Sequence, residues 1–249
     1  MMIDPFLLLR AYAIGIFPMS DDRKAPEIFW VEPKVRAILP LDSFHLSRSL
    51  AKTLRNGRFR VIINRAFAEV IALCAESATD RPTTWINHEI EAAYIRLHEM
   101  GFAHSVEVWS GDDLVGGLYG LALGRVFCGE SMFSRASDAS KVALAWLVAR
   151  MRFGGFSLLD CQFMTDHLRS LGAMEISQKA YRVLLSAAVA GVPLGDDVAL
   201  VATGAGEAAS LAFDALSGAA AAPMPLAPIL TVSGPVSGHD IAQLLTQTS

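Results

Sequence analysis

Residues 104–134 read HSVEVWSGDDLVGGLYGLALGRVFCGESMFS, and this stretch decides the fold. It contains three runs rich in β-branched, aromatic and other apolar residues, which are HSVEVW at 104–109, LVGGLYGLAL at 114–123 and VFCGESMF at 126–133. The turn signal SGDD separates the first two runs, and Gly124 separates the last two. Short runs joined by such turns are typical of β-hairpins. The stretch therefore predicts a meander of three strands.

The residues after this stretch add helices to the sheet. A helix is predicted at 138–152, and a Gly-Gly break after it precedes the apolar strand FSLLDCQF at 156–163. Helical patterns then cover DHLRSLG at 166–172 and the segment 177–189. Elements in the order β-β-β-α-β-α predict an α/β (α+β) fold with a mainly antiparallel sheet flanked by helices.

The residues before the meander are richer in helical patterns. Leucines repeat at helical spacing within 42–56, and RFRVIIN at 58–64 alternates like a strand. Further helical patterns cover 65–77 and 87–100. This part of the chain therefore predicts a smaller, α-rich N-terminal region ahead of the sheet.

Composition divides the chain into three predicted regions: a small N-terminal domain at 1–60, a larger domain at 61–190, and a tail at 191–249. The tail is rich in Ala, Gly and Pro, with GAAAAPMPLAP as a typical segment, and such a composition buries little side-chain surface. We expect it to be poorly ordered, with short helices at 205–217 and 239–246 to which no function is attached.

The overall composition is that of a protein with a sizeable core. The chain has 249 residues, of which 53% are hydrophobic. The apolar segment FLLLRAYAIGIF is interrupted by Arg10, is closed by Pro18 and is too short to span a membrane. The three cysteines show no CxxC spacing, so neither a disulfide nor a zinc site is expected. These features predict a soluble, cytoplasmic protein without a membrane contact.

The net charge of −4 conceals an uneven distribution. None of the 21 basic residues lies after Arg182, whereas five of the 25 acidic residues do. The first two predicted regions are therefore nearly neutral, which favours weak, salt-sensitive contact with a few phosphates over extensive binding of nucleic acid.

Two carboxylates interrupt apolar strands. Strand alternation places Asp160 and Gln162 on one face of the fourth strand, and it places Glu130 on the same face as Cys128 and Met132. A carboxylate buried without partners is costly, so these residues either line a cleft or belong to a satisfied polar network. The pattern alone leaves the catalytic and the structural roles equally open.

Several motifs occur in an order and at a spacing that resemble a known enzyme family. The C-terminal motifs are HSVEVW, LVGGLYG, VFCGESMFSR, DASK, LLDCQF and DHLRSLGA. The N-terminal motifs are GIFPM, FWVEP, HLSRSL and TWI. Together they cover about residues 6–186 and resemble the leucyl/phenylalanyl-tRNA-protein transferase family. GESMFSR and DCQ are the specific motifs.

The resemblance implies an activity and its partners. Such enzymes transfer Leu or Phe, with Met as a further candidate, from aminoacyl-tRNA to the N-terminal Arg or Lys of proteins, which marks those proteins for N-degron degradation. It also implies an acetyltransferase-like catalytic domain, a monomer and no cofactor or metal. The six histidines show no metal-ligand spacing.

The resemblance assigns the DCQ motif to catalysis. Gln162 is expected to orient the acceptor amine through its side-chain oxygen, while Asp160 polarises the Gln162 amide. A proton relay through this pair and simple positioning of the amine are both open, because an amide is a poor base. The structural alternative is an Asp-Gln pair that stabilises the fold.

An apolar pocket is expected for the donor side chain. Three residues of the 138–152 helix share a face toward the sheet by their spacing: Leu144, Leu147 and Met151. The resemblance adds Leu118 and Met132 to the pocket and places Glu130 at its rim. Plain core is the alternative for such a stripe.

Contacts to tRNA are expected from aromatic and basic residues. Trp30 and Trp85 are candidates for stacking on the terminal adenosine, and Trp30 is preferred because Trp85 could equally belong to the core. The candidate phosphate contacts lie opposite the leucines of the 42–56 helix and just after it: Arg48, Lys52, Arg55 and Arg58. A merely solvated helix face is the alternative.

Two other functions remain open from the residues. One is an N-acyltransferase that uses acyl-CoA, although the junction ESMFSRASDASK lacks the Gly-rich pyrophosphate loop that such enzymes need. The other is a non-catalytic module that binds tRNA or N-terminal residues. It would tolerate loss of Asp160 and Gln162, whereas the transferase would not.

Overall fold

The computed structural model describes residues 3–76, 83–192, 213–214 and 236–246. Its strands are β1 Phe17–Met19, β2 Phe29–Val31, β3 Val35–Leu39, β4 Arg60–Ile63, β5 Ala103–Ser110, β6 Asp113–Leu123, β7 Val126–Ser134, β8 Leu158–Gln162 and β9 Met174–Ser177. Its α-helices are α1 Pro5–Ala13, α2 Arg48–Arg55, α3 Phe67–Ala75, α4 His88–Glu99, α5 Ala139–Phe153, α6 Asp166–Ser170, α7 Gln178–Val189 and α8 Gly238–Thr246.

Seven strands form the main sheet in the order β4-β5-β6-β7-β8-β3-β9. The meander expected from the sequence is β5-β6-β7, and its strands pair antiparallel. Among the described strands only β7 and β8 pair in parallel, because α5 connects them as a crossover. The prediction of a mainly antiparallel sheet flanked by helices is confirmed.

Two strands of the main sheet, β3 and β9, were not predicted from the sequence. β3 pairs with β8 on one side and with β9 on the other. β3 lies within residues 1–60, so a division of the chain at residue 60 would remove the strand that joins β8 to the edge strand β9. The part of the N-terminal region outside the sheet consists of α1, α2 and the small sheet β1-β2.

An apolar core covers each face of the sheet. Helices α1, α3, α4 and α7 contribute to the core on one face, and α2, α5, α6 and α8 contribute to the core on the other. Helix α5 is the most deeply buried, and Gly116 lets it approach β6, since a Cβ there would lie 2.5 Å from Cβ of Ala139. The sheet is therefore central, and its side chains contribute to both cores.

Part of the C-terminal tail packs against the rest of the protein. The helix expected at 239–246 is α8, whose residues Ile241, Ala242 and Leu245 are buried against α2 and α5. This segment of the tail therefore carries an apolar face, and the expectation for most of 191–249 lies outside the described residues. The helix expected at 205–217 lies outside the described residues, apart from 213–214.

None of the helices in the described ranges combines the length and the apolar character that crossing a bilayer requires.

Candidate active site

The candidate site opens where the parallel pair of strands ends. β7 and β8 are in register only from Val126 to Cys128 on β7 and from Leu158 to Asp160 on β8. Beyond these residues the two strands line opposite sides of a cavity of about 410 Å³. A gap between neighbouring strands thus places the middle of VFCGESMF and the end of LLDCQF at one pocket.

A β-bulge directs Glu130 into this gap. Tyr119 pairs with Ser131 and Gly120 pairs with Gly129, so Glu130 is the extra residue on β7. Gly120 is required opposite the bulge, since a Cβ there would lie 2.3 Å from the carbonyl oxygen of Cys128.

The bulge overturns one expectation about strand faces. Cys128 packs into the core beneath α1, α3, α4 and α7, whereas Met132 packs with the core on the opposite face. The predicted shared face of Glu130, Cys128 and Met132 is therefore wrong for Met132, because one inserted residue shifts the strand alternation.

Most of the residues expected in the pocket do line it. They are Leu118, Glu130, Met132, Leu144 and Leu147, and Gln162 lies beside them. Met151 does not line the pocket and is fully buried in the core, since it lies one helical turn beyond Leu147. Plain core is the correct description of Met151.

The pocket also contains residues that the sequence analysis did not assign to it. Those from the N-terminal half are Phe17, Met19 and Trp85. Those from the β8-α6 segment and its neighbours include Leu159, Cys161, Phe163, Thr165, His167 and Leu168. The N-terminal motifs GIFPM and TWI were the available signal, but nothing in their local pattern indicates that they reach β7 and β8.

Glu130 lines the pocket and belongs to a polar network there. The Tyr12 hydroxyl donates to Oε1 of Glu130 at 2.7 Å, and it is hydrogen-bonded to the hydroxyl of Tyr94. Nε2 of Gln162 approaches the same Glu130 oxygen at 3.5 Å. Burial raises the pKa of Glu130 to about 8, although the two tyrosines act in the opposite direction. Glu130 is therefore mostly protonated at pH 7.

Asp160 has a different environment, since it is fully buried and bound to a cation. Arg36 donates from Nε to Oδ1 at 2.8 Å and from Nη2 to Oδ2 at 2.6 Å. Tyr181 donates its hydroxyl to Oδ2 at 2.9 Å, and the main-chain N–H of Gln162 donates to Oδ1 at 2.9 Å. Asp160 thus binds the backbone of Gln162, whereas the expected contact was with its side-chain amide.

The two residues that bind Asp160 have shifted pKa values. Burial alone would lower the pKa of Arg36, but the contact with Asp160 outweighs burial and raises it above its ordinary value. Burial, and then the Asp160 charge, raise the pKa of Tyr181. Both residues therefore keep their protons throughout the physiological pH range.

The two tryptophans lie in different places. Trp85 lines the pocket and is half-buried, whereas Trp30 on β2 is exposed and does not belong to the pocket lining. An aromatic ring at the pocket can contact whatever enters it. Trp85 is therefore a candidate for contact inside the pocket, and the stacking of exposed Trp30 on the terminal adenosine stays a prediction.

The basic residues of α2 lie on its solvent side. Leu50, Ala51 and Leu54 are buried on the inner face of the helix. The candidate phosphate contacts are all at least partly exposed: Arg48, Lys52, Arg55 and Arg58. The predicted division of this helix into an apolar and a basic face is thus present, and its contact with tRNA stays a prediction.

The fold and the pocket define the class of protein. A mainly antiparallel sheet, whose parallel pair β7-β8 separates around a cavity of about 410 Å³ with a carboxyl and an amide group in its lining, is an α/β architecture with an enzyme-like pocket.

The family is more specific. Residues 38–186 match the family described as "Leucyl/phenylalanyl-tRNA protein transferase", and residues 1–34 match "Leucyl/phenylalanyl-tRNA protein transferase N-terminal domain". The chain belongs to this family.

Three relatives share the name leucyl/phenylalanyl-tRNA–protein transferase. One from Rhizorhabdus wittichii is 60% identical over 250 residues, which is 99% of this chain and 99% of the relative. One from Zymomonas mobilis is 64% identical over 188 residues, or 76% of this chain and 70% of the relative. One from Novosphingobium aromaticivorans is 62% identical over 186 residues, or 75% and 71%.

Proposed function

We propose that this protein transfers Leu or Phe, and Met as a further candidate, from aminoacyl-tRNA to the N-terminal Arg or Lys of proteins. It would act as a cytoplasmic monomer, and the products would enter N-degron degradation. One observation carries the proposal: in a chain of this family, the gap between β7 and β8 forms an apolar pocket with Glu130 and Gln162 beside each other.

The reaction is the aminolysis of an ester. The acceptor amine attacks the carbonyl carbon of the aminoacyl ester, a C–N bond forms, the C–O bond to the terminal ribose breaks, and the amine proton is released while the ribose oxygen gains one. An α-amine has a pKa of about 7.7 to 8.0, so a useful fraction is neutral near pH 7.5 without a strong base. Holding the amine against the ester can supply about 7 to 11 kcal/mol. Positioning therefore carries most of the acceleration.

Leu118, Met132, Leu144 and Leu147 would bind the donor side chain, since they form the apolar part of the pocket. A cavity of about 410 Å³ has room for the side chain of Leu or Phe. Met151, behind this lining, would support the helix without touching the donor.

Gln162 would position the acceptor amine. Its Nε2 is directed toward Glu130, so its Oε1 is the atom that would accept a hydrogen bond from the amine. An acceptor Arg or Lys side chain close to Glu130 would lower the pKa of that carboxyl, because an opposite charge favours ionisation. Binding of a basic acceptor and ionisation of Glu130 would then support each other.

The tRNA would contact the protein at two places. Exposed Trp30, or Trp85 at the pocket, would stack on the terminal adenosine. The solvent-facing residues Arg48, Lys52, Arg55 and Arg58 would bind phosphates of the acceptor stem. Base-specific reading is not part of the proposal, because the basic residues are few and point to solvent.

Acyl-CoA as donor is not favoured. The segment from Glu130 to Lys141, which joins β7 to α5, contains no glycine, so it lacks the flexible loop whose N–H groups bind pyrophosphate. A binding module without catalysis would not need Gln162 beside the pocket.

The test mixes the purified chain with tRNA charged with labelled Leu or Phe and with peptides that begin with Arg, Lys or Ala. Mass spectrometry then follows the label into peptide. The expected result is transfer to Arg and Lys peptides only. Leu147→Trp should raise the KM for the charged tRNA, because the larger side chain fills the pocket. Met151→Leu, a change in the core one helical turn beyond Leu147, is the control and should leave this KM unchanged. Absence of transfer by a folded protein that still binds tRNA would reject the proposal.

A further inference from the structure

Every hydrogen-bonding position of the Asp160 carboxylate is already used. Oδ1 accepts from Nε of Arg36 and from the main-chain N–H of Gln162. Oδ2 accepts from Nη2 of Arg36 and from the hydroxyl of Tyr181. A carboxylate offers about four lone-pair positions, and four donors occupy them here. Asp160 therefore has no lone pair left for a proton from the acceptor amine.

Arg36 is fixed as firmly as its partner. Its guanidinium carbon lies 4.7 Å from the centre of the Phe17 ring and 4.4 Å from that of Tyr181. Its Nη1 donates to the carbonyl oxygen of Gly15 at 3.1 Å. Arg36 is 1% exposed, so neither water nor substrate replaces these contacts. The guanidinium is a fixed support for Asp160.

Gln162 has an unusual backbone at this point. Its φ angle is 55°, in the left-handed region that residues other than glycine, Asn and Asp seldom adopt. The hydrogen bond from its N–H to Asp160 holds this conformation. The conformation ends β8 and turns the amide of Gln162 toward Glu130 and the pocket. The position of the Gln162 side chain thus depends on Asp160, and Asp160 depends on Arg36 and Tyr181.

We propose that Arg36 and Tyr181 are positioning residues of the transfer reaction, which act through Asp160 to hold Gln162 in its left-handed turn beside the pocket. Asp160 is the anchor of that turn and takes no proton from the substrate. This inference rests on the proposed function for its catalytic consequence, but its structural content is independent of any activity.

The decisive comparison is Arg36→Met against the double variant Arg36→Met with Asp160→Asn. The first leaves a buried carboxylate without its cation, so kcat should fall about 100-fold, as a small misplacement of a positioning group can cause. In the double variant the amide oxygen introduced at position 160 still accepts the Gln162 N–H, and no buried charge remains. It should regain at least about tenfold in kcat over Arg36→Met, with the KM for aminoacyl-tRNA little changed in both.

Two single variants complete the series. Tyr181→Phe keeps the ring over Arg36 and removes one of the four donors, so it should lower kcat less than Arg36→Met does. Arg152→Met is the matched control, because Arg152 donates to the carbonyl oxygens of Leu41 and Leu244 away from the pocket. It should lower the melting temperature and leave kcat unchanged.

A spectroscopic measurement makes the test independent of catalysis. In the ¹⁵N–¹H spectrum the Gln162 amide proton should be shifted downfield and protected from exchange by its bond to Asp160. Both the downfield shift and the protection from exchange should be lost in Arg36→Met and return in the double variant. If this amide is unaffected by Arg36→Met, the proposed positioning is wrong.

Kinetics then separate the remaining outcomes. A double variant that restores the Gln162 amide but stays as inactive as Arg36→Met would show that the Asp160 charge itself is required, which overturns the anchor role. If the wild-type chain transfers nothing while the amide responds as expected, the proposed function fails and the structural dependence of Gln162 on Arg36 stands.

Discussion

Glu130 and Asp160 lie on neighbouring strands, and both interrupt apolar sequence, yet their environments are opposite. Glu130 projects from a bulge into the pocket, contacts hydroxyl and amide groups, and has its pKa raised to about 8. Asp160 lies behind the pocket, fully buried, on the guanidinium of Arg36. The difference shows that a carboxylate near a substrate pocket acquires its role from its partners, since one is an adjustable neutral acid and the other a fixed anion.

The largest expected effect is on the free energy of unfolding, and it should distinguish Asp160 from Glu130. Asp160→Ala leaves Arg36 as a buried cation without its partner, so the free energy of unfolding should fall by about 3–5 kcal/mol. Glu130→Ala removes a group that is mostly neutral at pH 7 and leaves only hydroxyl and amide donors, so it should cost clearly less. Denaturant unfolding of both variants at pH 7 measures this. Equal losses would remove the distinction between the two sites.

A smaller effect is expected from the tyrosine that binds each acid. Tyr181→Phe deletes a hydrogen bond to an ion-paired carboxylate, which should cost about 1.5–3 kcal/mol. Tyr12→Phe deletes hydrogen bonds to a neutral acid and to the Tyr94 hydroxyl, and each should cost about 0.5–1.5 kcal/mol. The difference should shrink at pH 9, where Glu130 is ionised. Unfolding curves at pH 7 and pH 9 give both values. A Tyr12→Phe cost that is independent of pH would contradict a neutral Glu130.

Sequence patterns predicted the meander, α5 and β8, because each follows from local periodicity and turn residues. They placed Leu144 and Leu147 of the pocket on one helix face, whereas Leu118 and Met132 came from the family resemblance. They also placed Glu130 and Gln162 at one site through the family resemblance. They did not predict Arg36, Tyr12, Tyr94 or Tyr181 as partners of the two acids. Arg36 is 124 residues from Asp160, and Tyr12 is 118 residues from Glu130. Such contacts depend on strand order, here on the insertion of β3 beside β8, and no local pattern encodes it.

The bulge on β7 illustrates a second limit. The alternation of side chains along a strand predicts faces correctly only while the pairing register is regular. One extra residue on a strand moves every later side chain to the opposite face, as it does for Met132. Gly120 lies opposite the bulge and is a sign of it in the sequence, but a glycine within a strand is compatible with several structures. The placement of Glu130 could therefore be suspected from LYG and GES, while its contacts could not.

The last effect concerns pH and is spread over several pH units. Glu130 has an ordinary pKa of 4.5 and a folded-state pKa of about 8, so between these values the folded protein holds a proton that the unfolded chain has released. Stability due to this group therefore falls as pH rises from about 4.5 to 8 and is constant outside that window. Within this window each pH unit should lower the free energy of unfolding by at most about 1.4 kcal/mol.

Glu130→Gln isolates this dependence, since the amide keeps the shape and does not titrate. The melting temperature of the variant relative to wild type should increase steadily between pH 5 and pH 8. Buried His104, whose pKa burial lowers to about 3, destabilises the fold as pH falls below its ordinary 6.5 in both proteins and so cancels in the difference. Glu175→Gln, a change at an exposed carboxylate, is the control and should show no such trend. A difference that is flat with pH would mean that Glu130 is ionised in the folded protein, and it would then resemble Asp160 in charge and differ from it only in lacking a cation.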